Sequence, residues 1–139
     1  MEAFATASST VSVVSLCVQL AEKIQILHDF WNSFQDAPAN IKRIAEDLDI
    51  FNHIFQQGVR TQRTDNATLR RLLERTEDKI VKLEELVQKF EPNFGSKRLI
   101  IRKWASFRAT LNKGNIEKFQ RSLRDTKLDL ILVGQSIAE

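Results

Sequence analysis

The sequence predicts an all-α protein: an up-down helical bundle of four long helices and one short one. Glycine and proline are scarce, four and two among 139 residues, and the dominant Leu, Ile, Lys, Arg, Glu and Gln are mostly good helix formers. Apolar residues recur at spacings of three and four along most of the chain. No run of alternating apolar and polar residues competes as a strand, and no internal repeat is visible. A chain of this length is the size of one domain and can bury a core, so residues 1–139 read as a single unit.

The first helix is expected to begin before Val11 and to run through Ile24, Leu27, Phe30, Trp31 and Phe34. After Glu2 no charged side chain appears until Glu22. As a helix, that uncharged stretch would reach roughly 28 Å, close to the thickness of a bilayer's hydrocarbon core. Ser8, Ser12, Ser15, Gln19 and Glu22 fall along one stripe, and Phe4, Ala7, Val11, Val14, Val18 and Ala21 follow the complementary spacing. Such a helix can pack in a bundle or enter lipid. With no Lys or Arg ahead of the apolar run, a secretory signal peptide fits poorly.

Asp36-Ala37-Pro38 predicts a break and a restart at Pro38, since proline suits the first helical position. Ile41, Ile44, Leu48, Phe51 and Phe55 then mark a second helix, with Ile50 and Ile54 widening its stripe and Gly58 as its expected stop. A polar loop follows, and Thr61, Thr64, Asp65 and Asn66 supply candidate N-caps. The third helix carries Leu69, Leu72, Leu73, Ile80, Leu83, Leu86, Val87 and Phe90, and its charges alternate in sign as on a solvated face. Pro92 and Gly95 end it. A short helical stretch over 99–111 is anchored by Ile100, Ile101, Trp104 and Phe107. Asn112-Lys113-Gly114-Asn115 breaks the pattern before a final helix with Ile116, Phe119, Leu123, Leu130 and Ile137, alongside Leu128, Ile131, Leu132 and Val133. Short connections predict antiparallel neighbours.

Catalytic chemistry finds little support. Only His28 and His53 are present; Asp49 and His53 lie one turn apart, but a metal site needs three or four ligands. Cys17, the single cysteine, cannot form an intramolecular disulfide and reads as a buried thiol, with a cytoplasmic setting as the default. Gly58, Gly95, Gly114 and Gly134 stand alone, so no phosphate-cradling loop exists. No enzyme activity, cofactor or metal is expected.

Charge is uneven. The net is +3, yet residues 97–139 hold ten basic and four acidic side chains. Lys97, Arg98, Arg102, Lys103, Arg108 and Lys113 are candidate contacts to anionic lipid; the alternative is a solvated basic face. Nucleic acid is not expected as a partner, because the basic residues share no recognised motif. Trp31 and Trp104 read as core or groove anchors, although Trp104, beside Arg102 and Lys103, would also suit a headgroup boundary.

The uncharged N-terminal helix, Asp36-Ala37-Pro38-Ala39-Asn40-Ile41, Trp104-Ala105, Lys113-Gly114-Asn115-Ile116-Glu117-Lys118, Leu123 and Lys127-Leu128-Asp129-Leu130 together resemble the HeLo-like N-terminal domains of fungal NLR-type (STAND) proteins. The resemblance implies a helical bundle placed before a nucleotide-binding oligomerisation module (NACHT or NB-ARC) or a prion-forming motif. It also implies execution of regulated cell death: the domains would cluster as homo-oligomers, move from cytoplasm to plasma membrane and damage it through the first helix. Phe4, Val11, Val13, Val14, Leu16 and Val18, within residues 1–21, would be the inserting side chains. The other reading is a soluble helical adaptor that recruits a partner protein without touching lipid.

Overall fold

A computed structural model describes residues 12–61, 67–91, 94, 102–110 and 113–138. Among the described residues five helices form the bundle: α1 (Val13–Asn32), α2 (Ala39–Thr61), α3 (Ala67–Phe90), the short α4 (Trp104–Thr110) and α5 (Lys113–Ala138). The predicted class and helix number hold.

The start of α1 corrects the expectation of a helix beginning before Val11. Ser12 is extended (φ −67°, ψ 157°), and its Oγ accepts the Ser15 amide at 3.1 Å. A serine that satisfies an orphan amide this way fixes the first turn behind it. At the other end the Ser33 hydroxyl and amide donate to the Phe30 carbonyl at 2.6 and 3.2 Å.

The chain then leaves the helix earlier than Phe34. Phe34–Gln35 (β1) pairs in parallel with Arg102–Lys103 (β2), Phe34 opposite Arg102 and Gln35 opposite Lys103. This two-residue ladder supplies backbone partners that the ended helix cannot. It also splits the predicted 99–111 stretch, so α4 begins only at Trp104. Asp36 takes a positive φ of 59°, a conformation Asp tolerates better than most residues. The Pro38 carbonyl then accepts from the Ile41 and Lys42 amides at 3.0 and 3.1 Å, launching α2.

Gly58 is not the stop of α2, which continues to Thr61. A Cβ at 58 would lie 2.7 Å from the Cys17 Sγ and 3.1 Å from the Ile137 Cδ1. The glycine therefore allows three helices to close on one point. Gly114 and Asn115, expected to break the chain, lie in the first turn of α5. The loop N-caps Thr64, Asp65 and Asn66 lie outside the described residues.

The principal lateral contacts are α1 with α2 and α3, and α5 with α2 and α3. Paired positions give the directions. Asn52 donates to the Gln25 side chain and Gly58 meets Cys17, so α1 and α2 run antiparallel. Arg75 and Lys79 reach Asp129 while Lys79 also reaches the Asp125 carbonyl, so α3 opposes α5. Asp47 meets Lys127 and Gly58 meets Ile137, so α2 and α5 are parallel. Chain direction alternates as an up-down bundle requires, but α2 and α3 are not principal neighbours. Not every adjacent pair is therefore antiparallel.

The core runs the length of the bundle, through Leu20, Ile24, Leu27, Leu48, Phe55, Leu73, Ile80, Phe119 and Val133. At one end it becomes aromatic. Phe34 meets Phe107 and Trp104 with centroids 4.6 and 5.6 Å apart, and Trp31 meets Phe119 at 4.9 Å. Contacts of this kind add about 0.5–1.5 kcal/mol each beyond area burial, and they pin α4 over the α1–α2 turn. Trp31 and Trp104, at 1% and 8% exposure, are core residues.

Candidate functional site

Two surfaces correspond to the sequence expectations. The first is the outward side of α1. Ser12, Ser15, Gln19 and Glu22 are all exposed, as their stripe predicts. The complementary stripe is rotated from its expected place: Val14 is half-buried and Val18 is 39% exposed, while the buried line is Val13, Leu16, Cys17, Leu20, Ile24 and Leu27. The reason is size. A line of leucines and isoleucines buries more apolar area than one of valines and alanines, so it takes the core. Of the candidate inserting residues, Val13 and Leu16 are therefore held in the bundle, Val14 and Val18 lie at the surface, and Phe4 and Val11 lie outside the described residues. No helix among the described residues is long and apolar enough to cross a membrane.

Burial explains the chemistry of Cys17. The thiol is fully enclosed beneath Gly58, and desolvation pushes its pKa up to about 11. A thiol held neutral in this way is no nucleophile.

The second surface surrounds α4. Lys103 and Arg108 are exposed, whereas Arg102 and Lys113 are placed by backbone alone, in β2 and at the start of α5. Lys97 and Arg98 lie outside the described residues. A cleft of about 490 Å³ opens here between the start of α2, α4 and the start of α5. Ile41, Trp104 and Ile116 line it together with Asn40, Arg108 and Glu117. Three separated sequence segments, within 38–41, 104–108 and 116–120, thus converge on one place.

His53 accompanies Asp49, its Nδ1 2.8 Å from the Asp49 carbonyl oxygen and 3.8 Å from a carboxylate oxygen, on an exposed face. Among the described residues no three His, Cys, Asp or Glu side chains gather as a metal site would need.

Sequence reasoning missed two features of α5. Asp129, 5% exposed, lies 3.1 Å from both Arg75 and Lys79 of α3, a carboxylate clamped by two cations. Leu128, Ile131 and Leu132 are exposed at 65%, 49% and 44%. A wheel through the buried Phe119, Leu123, Leu130, Val133 and Ile137 would have put these three on the opposite side.

These features define an all-α bundle whose distinctive surfaces are faces and a cleft. A family model matches residues 7–130 and is described as SesA, an N-terminal domain on NACHT NTPases and P-loop NTPases. The chain belongs to that family, and so to the N-terminal domains that precede such nucleotide-hydrolysing modules. Comparisons with curated proteins and with solved structures found no match.

Proposed function

We propose that the chain is a non-enzymatic, HeLo-like effector domain of an NLR-type receptor, which acts by clustering at the plasma membrane and permeabilising it to execute cell death. A following NACHT module would drive the clustering from the cytoplasm. One observation carries the membrane part: from Ser12 to Gln19 the outward side of α1 presents only hydroxyls, an amide and valine, with the first charge at Glu22. Such a face can enter a low-dielectric interface without desolvating an ion. Exposed Lys103 and Arg108 would add attraction to anionic headgroups, and clustering multiplies weak insertion by avidity.

The test is dye release from anionic vesicles by the whole chain, by a form lacking residues 1–11, and by Val18→Glu. Both changes leave Val13, Leu16 and Leu20 in place, so helicity should persist. Release by the whole chain and loss in both variants is the expected result. Equal release by folded variants would overturn the role of the N-terminal helix. The cleft between α2, α4 and α5 favours a second reading, an adaptor that seats a partner segment against Trp104 and Ile116. That reading requires the Trp104 environment to respond to a partner and not to vesicles.

A further inference from the structure

The outer side of α5 is unlike any other described surface. Leu128, Ile131 and Leu132 are spaced by three and four, so their side chains adjoin, and among the described residues they supply three of the six large apolar side chains exposed at more than a third. The other three, Val18, Ile26 and Ile50, lie on α1 and α2. Scattered single exposures are ordinary, whereas a contiguous patch calls for a partner.

Charge indicates which partner. Arg124 sits one turn before Leu128 on the same side, and Arg121 lies three residues further back. Both are exposed, and among the described residues neither has an ion pair. Lys118 flanks them, Glu117 and Asp125 lie among them, and Lys127 at the far edge is 4.0 Å from Asp47 of α2, which leaves three cations against two exposed acids. Asp129, a third acid of this stretch, is buried toward α3 and occupied by Arg75 and Lys79. The face thus has a small cationic excess in its first half and is apolar in its second, an arrangement that lets a helix lie in a headgroup layer with its apolar side chains below the phosphates.

We infer that the outer face of α5, centred on Leu128, Ile131 and Leu132 with Arg121 and Arg124, is a docking surface for an anionic lipid bilayer. It engages the folded bundle without moving any core residue, because these side chains already point away from Leu130 and Val133. The inference rests on the membrane-acting reading for its cellular meaning. It is separate from insertion of α1, since docking requires no permeabilisation.

The experiment is sedimentation of the whole chain with phosphatidylserine-containing vesicles and with phosphatidylcholine vesicles. Binding should be confined to the anionic vesicles and weaken with salt. Arg121→Gln with Arg124→Gln should lower the affinity roughly thirty-fold, and Leu128→Ser with Leu132→Ser roughly tenfold, each with unchanged helicity. In parallel, Leu128→Cys and Gln88→Cys carry a polarity-sensitive dye; Cys17 is too enclosed to label. The dye at 128 should shift to the blue on vesicles and the dye at 88, on α3, should not.

Failure of the chain to bind anionic vesicles overturns the docking surface. So does binding in which the α5 variants match wild type, which would leave the membrane reading to another face. Self-association abolished by Leu128→Ser and Leu132→Ser, without vesicle binding, would make the patch a contact between copies and overturn the lipid assignment. Docking through α5 without dye release would uphold this surface and overturn the permeabilising function.

Discussion

Replacing Gly58 by alanine measures how closely α1, α2 and α5 approach. In an exposed helix interior the change would stabilise by about 1 kcal/mol, because alanine loses less backbone freedom on folding. Here the new methyl would sit 2.7 Å from the Cys17 Sγ, nearer than real Cβ contacts come, and 3.1 Å from the Ile137 Cδ1. Ile137 can yield by a small rotation. The sulfur cannot, because Cys17 is fully buried on a helix held along its length. Overpacking of this kind costs about 1–3 kcal/mol, so set against that gain the net effect should be a loss of up to about 2 kcal/mol. Cys17→Ala removes the obstructing atom, leaving a Cβ that is 3.7 Å away and in ordinary contact. Alone it should cost about 1 kcal/mol for the lost buried atom. The double variant should recover most of the Gly58→Ala loss, a coupling of at least about 1 kcal/mol. Urea unfolding followed by far-UV circular dichroism reads all four corners of the cycle. A Gly58→Ala protein more stable than wild type, with no coupling to position 17, would refute the close approach.

Three further outcomes are expected. Asp129→Ala should destabilise by about 2 kcal/mol in urea, less than a fully enclosed pair because Arg75 and Lys79 reach solvent, whereas Arg75→Ala should cost under about 1 kcal/mol since Lys79 remains; equal losses would refute the clamp. Cys17, with its pKa pushed up to about 11, should react with a thiol reagent at mildly alkaline pH at least about a hundredfold slower in the native protein than in urea, and fast native labelling would contradict its burial. Burial lifts the Glu84 carboxyl above its ordinary 4.5, with Lys23 drawing it down and Glu85 adding to the rise. The folded state therefore holds that proton more tightly than the unfolded chain, so this contribution to stability is present at low pH and is lost as pH rises from 4.5 through the lifted value. Glu84→Gln should flatten the decline, and an unaltered stability profile between acidic and neutral pH would refute it.

The helices were legible because each carries a long apolar stripe of helical period and the breaks contain proline or capping groups. Gly58 misled because a glycine's role depends on what faces it, and Cys17 and Ile137 are 41 and 79 positions away in the chain. The Phe34–Arg102 pairing was illegible for the same reason: two residues carry no periodic signal, and the partner lies across two helices. Face assignment on α1 failed where two apolar stripes competed and the larger side chains decided. Near the end of α5 the sequence is strongly apolar on every side, and only the buried set beginning at Phe119 separates Leu130 and Val133 from Leu128 and Leu132. The clamp on Asp129 shows the same limit, since nothing local distinguishes it from Asp125.

Those burial patterns constrain how α1 could ever act on a membrane. Val13, Leu16 and Leu20 are 2%, 5% and 0% exposed, and returning them to water would cost roughly 5–9 kcal/mol. A whole domain is stable by only about 5–15 kcal/mol. Peeling the first turns of α1 into water is therefore nearly as costly as unfolding, and insertion must either use residues ahead of Val13 or transfer these side chains directly into lipid. Native-state hydrogen exchange separates the two. In the free protein the amides from Leu20 to Leu27 should exchange only through global unfolding, with the same denaturant dependence as Leu73 and Val133. On anionic vesicles that protection should persist if docking leaves the bundle intact; if α1 enters the bilayer, its own amides stay protected while those around Leu48 and Phe55 of α2 lose their shield. Exchange of α1 through a small opening in the free protein, with α3 and α5 still protected, would refute the claim that its burial locks it in place.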